Sequence, residues 1–581
     1  MTSLRDVSER IGQEGLAPPV LPFLSTTPGL FRVLLFQPQG VIVATDTSVR
    51  VRDRDLLARQ MNAFLRHASA LSVDLAACPE YSCPWISLRE AIIDGTVPAE
   101  GKIWAVSCES ISRAELHSVI DELTPHCRIV LDWPPASANG EFLDCVCFLF
   151  IARDAAGAEV TTMLVQFKTC QMGGETYESE HLILGETIYR FGDAGTNRLV
   201  GLLCSDSLSQ KFMDDVVPEL RHDTLVLHLQ LNPHGENARF RAYRDACCNE
   251  KPRNSEVLCL NWAKGTQLQT DEAGVLKDVD LIVEPRTILF RPDEELDATD
   301  DQVVKNHKRG CYLTYLKSYR TAAYVFSPDS QLFAFKTSKP MIVGAGSIAI
   351  RSGIIMDGRY EWTGNDWGRA AADAKDRFEE YWSKDAPRLE PYLTQMRQAP
   401  LDGERLIQLS TGRGVEPRLD DWKSLGSFRL CNDDTACRLQ LCWSTKGEGY
   451  DYRASCRADF LGFVFAVENA ANFSPRLTAF KENEYTIGYR SSPGLHHRNL
   501  HIQGGPSATA VFLGMAPASE KLSRVKSELL KRIADVAQDQ ELIAIWYRDE
   551  AGELKDHMDQ QTPAIFDDPR RNPVGIDDVT P

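Results

Sequence analysis

Hydrophobic residues along the chain follow two patterns. From about Asp53 to Ala70, the residues Leu56, Leu57, Met61, Leu65 and Ala68 recur at the spacing of helical turns, which predicts a helix with one apolar face. A second such set, Leu522, Val525, Leu529, Ile533 and Val536, predicts a helix from about Ala518 to Ala537. Most other apolar residues come in short unbroken runs. FRVLLFQ (Phe31 to Gln37), LSVDLAACPEYS, KIWAVSC, CRIVLDW, DCVCFLFIARD, TTMLVQFK, NRLVGLLCSD, DTLVLHLQL and SEVLCLNWA read as strands, with DAAGAE as a turn between two of them. Runs without alternation fit strands covered on both faces, as in a layered α/β fold.

Further along, AAYVFSPDSQLFAFKT and SIAIRSGIIMDGRYEW read as hairpins that extend the same sheets. Past about residue 365, NDWGRAAADAKDRFEEYWSK reads as a helix, and FLGFVFAVE and ATAVFLGM as compact strands. The expected organisation is an N-terminal leader over 1–27, polar and then rich in Gly and Pro, that wraps onto the body. An α/β domain follows over 28–360, and an accessory or regulatory α+β region over 361–581.

Composition narrows the partners. With 64 Lys and Arg against 82 Asp and Glu, the 581-residue chain carries a net charge of −18. Such a balance opposes broad neutralisation of phosphates, so nucleic acid is not an expected partner. No apolar stretch reaches the roughly 20 residues of a membrane helix, and MTSLRDVSERIGQEGLAPP lacks the apolar centre of a secretory signal, so the expected compartment is the cytoplasm. The 16 cysteines are scattered, many within apolar runs, where buried reduced thiols are the expected state.

One cysteine stands apart by context. LVGLLCSD places Cys204 at the end of an apolar strand, from which a thiol can project into a cleft. Two other strand exits supply Glu80, in ACPEYS, and Lys168, in LVQFKTC, giving a nucleophile, a proton acceptor and a cation. Each has a plain structural reading: an inert buried thiol among fifteen others, a cap on the following segment, and a lysine closing a strand in solvent. Together they describe thiol chemistry, because a neighbouring ammonium favours the thiolate and a carboxylate can take the thiol proton. Asp206, Asn232 and His234 read equally as pocket or turn residues, and His181 as structural.

At these residues the chain resembles the carbon-nitrogen hydrolase, or nitrilase, superfamily. FRVLLFQ is similar to its opening strand, VDLAACPE to the strand that ends in the catalytic Glu, and DAAGAEVTTMLVQFKTCQM to the hairpin that delivers the catalytic Lys. HLILGETIYRF followed by NRLVGLLCSD is similar to the Gly-containing turn and strand that lead to the nucleophilic Cys. LVLHLQLNPHGENARFRAYRDAC and EVLCLNWA resemble the Asn-bearing strand, helix and strand that follow. The motifs occur in order over about residues 30–350. The resemblance implies a four-layer αββα sandwich, to which the region after 360 adds an unrecognised extension, and subunits that pair through the outer helices. It implies catalytic roles for Glu80, Lys168 and Cys204. It also implies a second glutamate before the Gly turn, Glu178 in YESEHLILG, with Glu175 or Glu180 as alternatives. Ser205 stands where relatives often carry an aromatic, and the interval from Glu80 to Lys168 is longer than usual, so substrate shape does not transfer.

Other signals are weaker. MIVGAGSIAI has the glycines of a dinucleotide-binding turn but continues as strand and turn instead of a helix. Cys431, Cys437, Cys442 and Cys456 lack the paired spacing of a zinc knuckle, as do His496, His497 and His501. Neither cofactor nor metal is expected. The expected activity is cysteine-dependent hydrolysis of a small nonpeptide amide, ahead of a nitrile, through a thioester, by a homodimer or larger homo-oligomer. The competing expectation is a noncatalytic nitrilase-like scaffold whose C-terminal region binds a protein or senses a ligand.

Overall fold

The computed structural model describes residues 3–558 except 137, 173–175, 194, 234–237, 250–253, 273–274, 283–286, 293–295, 298–299, 317–320, 340–350, 375–382, 384–386, 413–447, 470–472, 493–494 and 534–541. His234, Glu175, the GAGSIAI glycines, Val536, and Cys431, Cys437 and Cys442 fall outside them.

The chain folds as mixed α/β, with two large sheets at its centre. The larger has ten strands. In spatial order they are Trp367–Arg369, Ile355–Trp362, Gln331–Ser338, Leu30–Gln37, Leu75–Ala77, Ile103–Ile111, Leu143–Asp154, Glu159–Phe167 and Arg128–Leu131, with Leu16–Ala17 pairing beside Leu143–Asp154. The eight-stranded sheet runs Ser3–Asp6, Thr187–Phe191, Arg198–Leu203, Thr224–Leu229, Glu256–Leu260, Ile288–Pro292, Thr321–Phe326 and Cys311–Leu316.

The unbroken apolar runs are explained by which core each residue joins. In Leu30–Gln37, Val33 and Leu35 enter a core shared by both sheets, while Leu34 and Phe36 enter a second core. That second core also takes in Leu57, Met61 and Leu65 of the Arg54–Ala70 helix, with Leu88 and Leu116 of two more helices. Asp53 caps the first helix, accepting from the Leu56 N–H at 3.0 Å. Leu143–Asp154 divides the same way: Val146 and Phe148 face the shared core, Cys145 and Cys147 the helices. In Arg198–Leu203, Leu199 and Leu203 join the shared core, while Val200 and Leu202 pack in a third core with Phe212, Val216 and Tyr243. A strand apolar on both faces is therefore covered on both faces. At Gly201 the sheets approach so closely that a Cβ would lie 2.6 Å from Phe148 Cζ. Gln166 bridges them there, its Nε2 donating to Gly201 O at 2.9 Å and its Oε1 accepting from Tyr189 N at 2.9 Å.

Four expectations are corrected. AAYVFSPDSQLFAFKT is a crossover instead of a hairpin: Thr321–Phe326 lies in the eight-stranded sheet and Gln331–Ser338 in the ten-stranded one. The corner is tied by Gln37 Nε2, which donates to the Ser327 and Asp329 carbonyls at 2.9 and 2.8 Å. SIAIRSGIIMDGRYEW likewise splits, Arg351–Ser352 pairing with Leu296–Asp297 and Ile355–Trp362 with Gln331–Ser338. Within the segment expected as a helix past 365, Trp367–Arg369 is a strand that carries the ten-stranded sheet beyond 360; the Trp367 indole meets Phe36 edge-on and donates to Gln60 O at 3.0 Å. FLGFVFAVE lies in the Glu448–Glu468 helix; Phe460, Phe463, Val464 and Val467 are buried at helical spacing, but the outward side carries Leu461 and the 42% exposed Phe465, so the run shows no amphipathic period to distinguish it from a strand.

The first residues lie on the body, as an edge strand Ser3–Asp6 parallel to Thr187–Phe191 and a helix Val7–Gly12. Among residues after 361 a five-stranded sheet forms, with the helices Pro400–Ser410, Glu448–Glu468 and Ser519–Ile533 nearby in sequence. Its apolar residues, among them Val511, Ile545 and Leu529, belong to the same core as Val200 and Leu202. No helix among the described residues is long and apolar enough to cross a membrane.

Candidate active site

Glu80, Lys168 and Cys204 all sit just beyond strand ends. Glu80 follows Leu75–Ala77 through Pro79 and is succeeded by Tyr81 in the left-handed region at φ +57°. Trp262 Nε1 donates to Glu80 O at 2.8 Å, fixing this exit from the opposite sheet's connections. Lys168 directly follows Glu159–Phe167, and its N–H continues the pairing by donating to Asp144 O at 3.0 Å. Its carbonyl accepts from Gly185 N at 2.8 Å. A Cβ at Gly185 would lie 2.8 Å from Phe167 Cβ, which is why glycine stands in the turn. Cys204 ends Arg198–Leu203 with φ +24°, a backbone strain that non-glycine residues adopt rarely and chiefly at functional sites.

The side chains converge. Lys168 Nζ lies 2.9 Å from Glu80 Oε1, 2.7 and 2.9 Å from the two Glu178 oxygens, and 3.7 Å from Asp144 Oδ2. All four residues are fully buried, and Cys204 is 1% exposed. Of the glutamates offered by the loop, Glu178, in the short Thr176–His181 helix, is the buried one, whereas Glu180 is exposed. Glu178 also accepts from Tyr81 OH at 3.0 Å and Met172 N at 2.7 Å. One residue links carboxylate to thiol: Leu231 N donates to Glu80 Oε2 at 3.0 Å, and Cys204 Sγ approaches Leu231 O at 3.7 Å.

Asp206 holds the Cys204 turn against the lysine segment. Its Oδ1 accepts from Thr169 N, Thr169 Oγ1 and Cys170 N at 2.7, 2.9 and 3.2 Å, and its Oδ2 from Leu203 N at 2.9 Å. Ser205 Oγ adds a bond to Cys170 O at 2.6 Å. Asp206→Ala should therefore cost about 2–4 kcal/mol by leaving buried donors unpaired, measured as a lowered denaturation midpoint, and should slow alkylation of Cys204. Asn232 is buried beside the site with its peptide clamped by Asn261, while His181 lies near the surface, 3.5 Å from Asp46.

Two residues at the site have no place in the sequence expectations. His228 Nε2 donates to Cys204 O at 2.7 Å, and Nδ1 faces the Tyr243 hydroxyl and Gln230 Nε2. Burial, with help from Arg244 and against the bond to Cys204, lowers His228 to about 3, so it holds the Cys204 carbonyl as a neutral ring. Asp144 begins the Leu143–Asp154 strand in FLDCVCFLF. The signal for both was present: a lone polar group inside an apolar run must find a partner when buried.

Burial sets the electrostatics. It raises Glu80, the Lys168 ammonium opposes it and the Glu178 charge reinforces it, leaving Glu80 at about 7. Burial would depress Lys168, but Glu178, Glu80 and Asp144 outweigh it and hold the ammonium well above its usual range. Burial raises the Cys204 thiol, with Glu80 adding and Lys168 opposing, so the resting group is a thiol whose proton must be taken by a base. Glu80, Asp144 and Glu178 are spaced closely enough to suit a metal ion, but the Lys168 ammonium stands among them.

No family model matches the sequence, and no curated protein does. Solved structures are similar over part of the chain. Glutamine-dependent NAD+ synthetase from Acinetobacter baumannii is 12% identical with a TM-score of 0.31; the match covers 55% of this chain and about half, 49%, of the synthetase. An amidase from Nesterenkonia sp. is 13% identical with a TM-score of 0.26, over 45% of this chain and 82% of its own. A mutant of Nesterenkonia AN1 amidase, from the nitrilase superfamily, is 13% identical with a TM-score of 0.25, over 45% of this chain and 84% of its own.

Proposed function

We propose that this protein hydrolyses a small nonpeptide amide through a thioester on Cys204, within an αββα sandwich formed by the two large sheets and their flanking helices. The observation that carries the reading is the burial of Glu80, Lys168 and Glu178 in one ion cluster, joined to Cys204 through the backbone of Leu231. An isolated structural thiol needs no such arrangement, and burying these charges is costly without a use.

Glu80 as carboxylate takes the Cys204 proton while sulfur attacks the amide carbon. Lys168 stabilises the oxyanion. As the C–N bond breaks, Glu80 returns its proton to the leaving amine, leaving an acyl thioester. Water then attacks, Glu80 accepts its proton, the C–S bond breaks and the thiol is restored, so that amide and water give acid and amine. Glu178 orients Lys168. A nitrile could enter the same sequence, but an amide needs only one hydrolytic cycle.

Mass spectrometry of the intact protein after exposure to an amide and nitrile library tests the reading. The expected result is an acyl adduct on Cys204 that decays with release of acid; turnover without any adduct requirement for Cys204 would sink it. Because Glu80 must be ionised to accept the thiol proton, and stands at about 7, the acylation rate should rise with pH through a midpoint near 7 and fall about tenfold per unit below it. A midpoint that persists in Glu80→Gln would remove Glu80 as the base. The second reading, a scaffold without turnover, draws on the near-complete burial of Cys204. It predicts that Cys204 is no more reactive than the other buried thiols. Pairing into a homo-oligomer is expected to show in native mass spectrometry.

A further inference from the structure

Three carboxylates and one ammonium fill the buried cluster, and their partners are shared unequally. Glu178 takes two contacts from Lys168, with the Tyr81 hydroxyl and the Met172 N–H. Glu80 takes Lys168 and the Leu231 N–H. Asp144 takes neither: both its oxygens are buried without a hydrogen bond, and the Lys168 ammonium lies 3.7 Å away. Glu80 Oε1 is ion-paired to the Lys168 ammonium at 2.9 Å without a further hydrogen bond, and one oxygen from each of the three acids lies within 4.8 Å of the others. Three ionised acids against one cation would bury two uncompensated negative charges, which a site with no exposed atom does not sustain. One added proton removes a charge and gives the unpartnered acceptors a donor.

We propose that Asp144 carries this proton at neutral pH and donates it to Glu80, as a positioning residue that keeps Glu80 a carboxylate ready to receive the Cys204 proton. The Asp144 backbone is fixed for the task by the Lys168 N–H on its carbonyl and by the pairing of Cys145 with Phe167. The groups facing it are Glu80 beyond its strand end, Lys168 beyond the neighbouring strand, Glu178 from the short helix, and Cys145 on its own strand. Burial and the Glu80 charge, opposed by Lys168 and reinforced by Glu178, drive Asp144 well above the usual carboxylate range. A donor to an ionised acid favours the ionised form. Asp144 thus offsets part of the burial that raises Glu80, and its effect on chemistry runs through Glu80 alone. This role rests on the assignment of Glu80 as the base; the proton on Asp144 does not.

Two measurements on the full chain separate these points. Infrared difference spectra at about pH 8, where ordinary carboxyls are ionised, should show one protonated carboxylic acid in wild type that is missing in Asp144→Asn; no lost band overturns the proposal whatever Cys204 does. Alkylation of Cys204 by iodoacetamide, followed by mass spectrometry against pH, reads Glu80. Asp144→Asn, isosteric, neutral and still a donor, should keep the wild-type midpoint. Asp144→Ala should raise it by about 1–2 pH units through the lost charge-assisted bond. A lower midpoint in Asp144→Asn would mean that Asp144 is ionised, and an unchanged midpoint in Asp144→Ala that it does not act on Glu80; either overturns the proposal. A wild-type profile with no rise near 7 would defeat Glu80 as base, while the infrared band still decides the proton.

Discussion

Cys204→Ala should leave a folded protein whose turnover of any amide substrate is at least about 10⁴-fold below wild type, with no acyl adduct in the intact mass. The size of the loss follows from role: a nucleophile acts as a unit with its base and oxyanion donors, so removing it cancels most of what the others supply. The fold should tolerate the change. The Cys204 turn is held by backbone and by Asp206 and His228, not by the thiol, whose hydrogen bond is the 3.7 Å approach to Leu231 O. Comparison of near-ultraviolet spectra and melting curves checks this. If the variant melts with wild type and still turns substrate over, the chemistry lies elsewhere.

Lys168→Met should have the largest effect on stability, lowering the unfolding free energy by about 3–5 kcal/mol, because it leaves Glu80 and Glu178 buried without their cation. The deficit should depend on pH in a definite sense. Without the ammonium, nothing opposes the burial that already raises Glu80 above its unfolded value, so the folded state binds more protons there. Stability is then present at low pH and lost as pH rises through the folded value of Glu80. Denaturant titrations should therefore find Lys168→Met closer to wild type near pH 5 than near pH 8. Equal deficits at both would mean that the carboxyls are balanced by something other than Lys168. Turnover should vanish in parallel, since the oxyanion loses its charge.

Much of this site was legible because it lies at strand exits. An apolar run that stops at an acid, a lysine or a cysteine announces a side chain leaving a buried sheet, and Glu80, Lys168 and Cys204 were all found that way. Glu178 was harder, since three acids crowd its loop and burial separates it from Glu180. Asp144 and His228 stayed hidden because each sits inside a run read for its hydrophobicity. What a buried polar residue does depends on what faces it from other strands, which no local pattern records. The same limit explains the two false hairpins. Turn residues at SPDS announce a reversal, but both strands are apolar on each side, so nothing local says whether the chain turns back into its own sheet or crosses to the other. FLGFVFAVE is the reverse case, a helix whose outward side carries Leu461 and Phe465 in place of polar residues.

The pairing of Ser3–Asp6 with Thr187–Phe191 has a consequence in time. Ser3–Asp6 leaves the ribosome some 180 residues ahead of this partner strand, a wait of roughly 10–40 s at ordinary elongation rates. Throughout it, the segment bearing Arg5 and Arg10 lacks its sheet, and for the first two thirds of it also Asp132, its eventual ion-pair partner. Until it docks, Thr187–Phe191 is an uncovered edge, open to pairing with a strand from another nascent chain. Newly made protein should thus depend on chaperones longer than its local structure suggests, and bulky fusions ahead of Ser3 should lower the yield of soluble product more than fusions elsewhere.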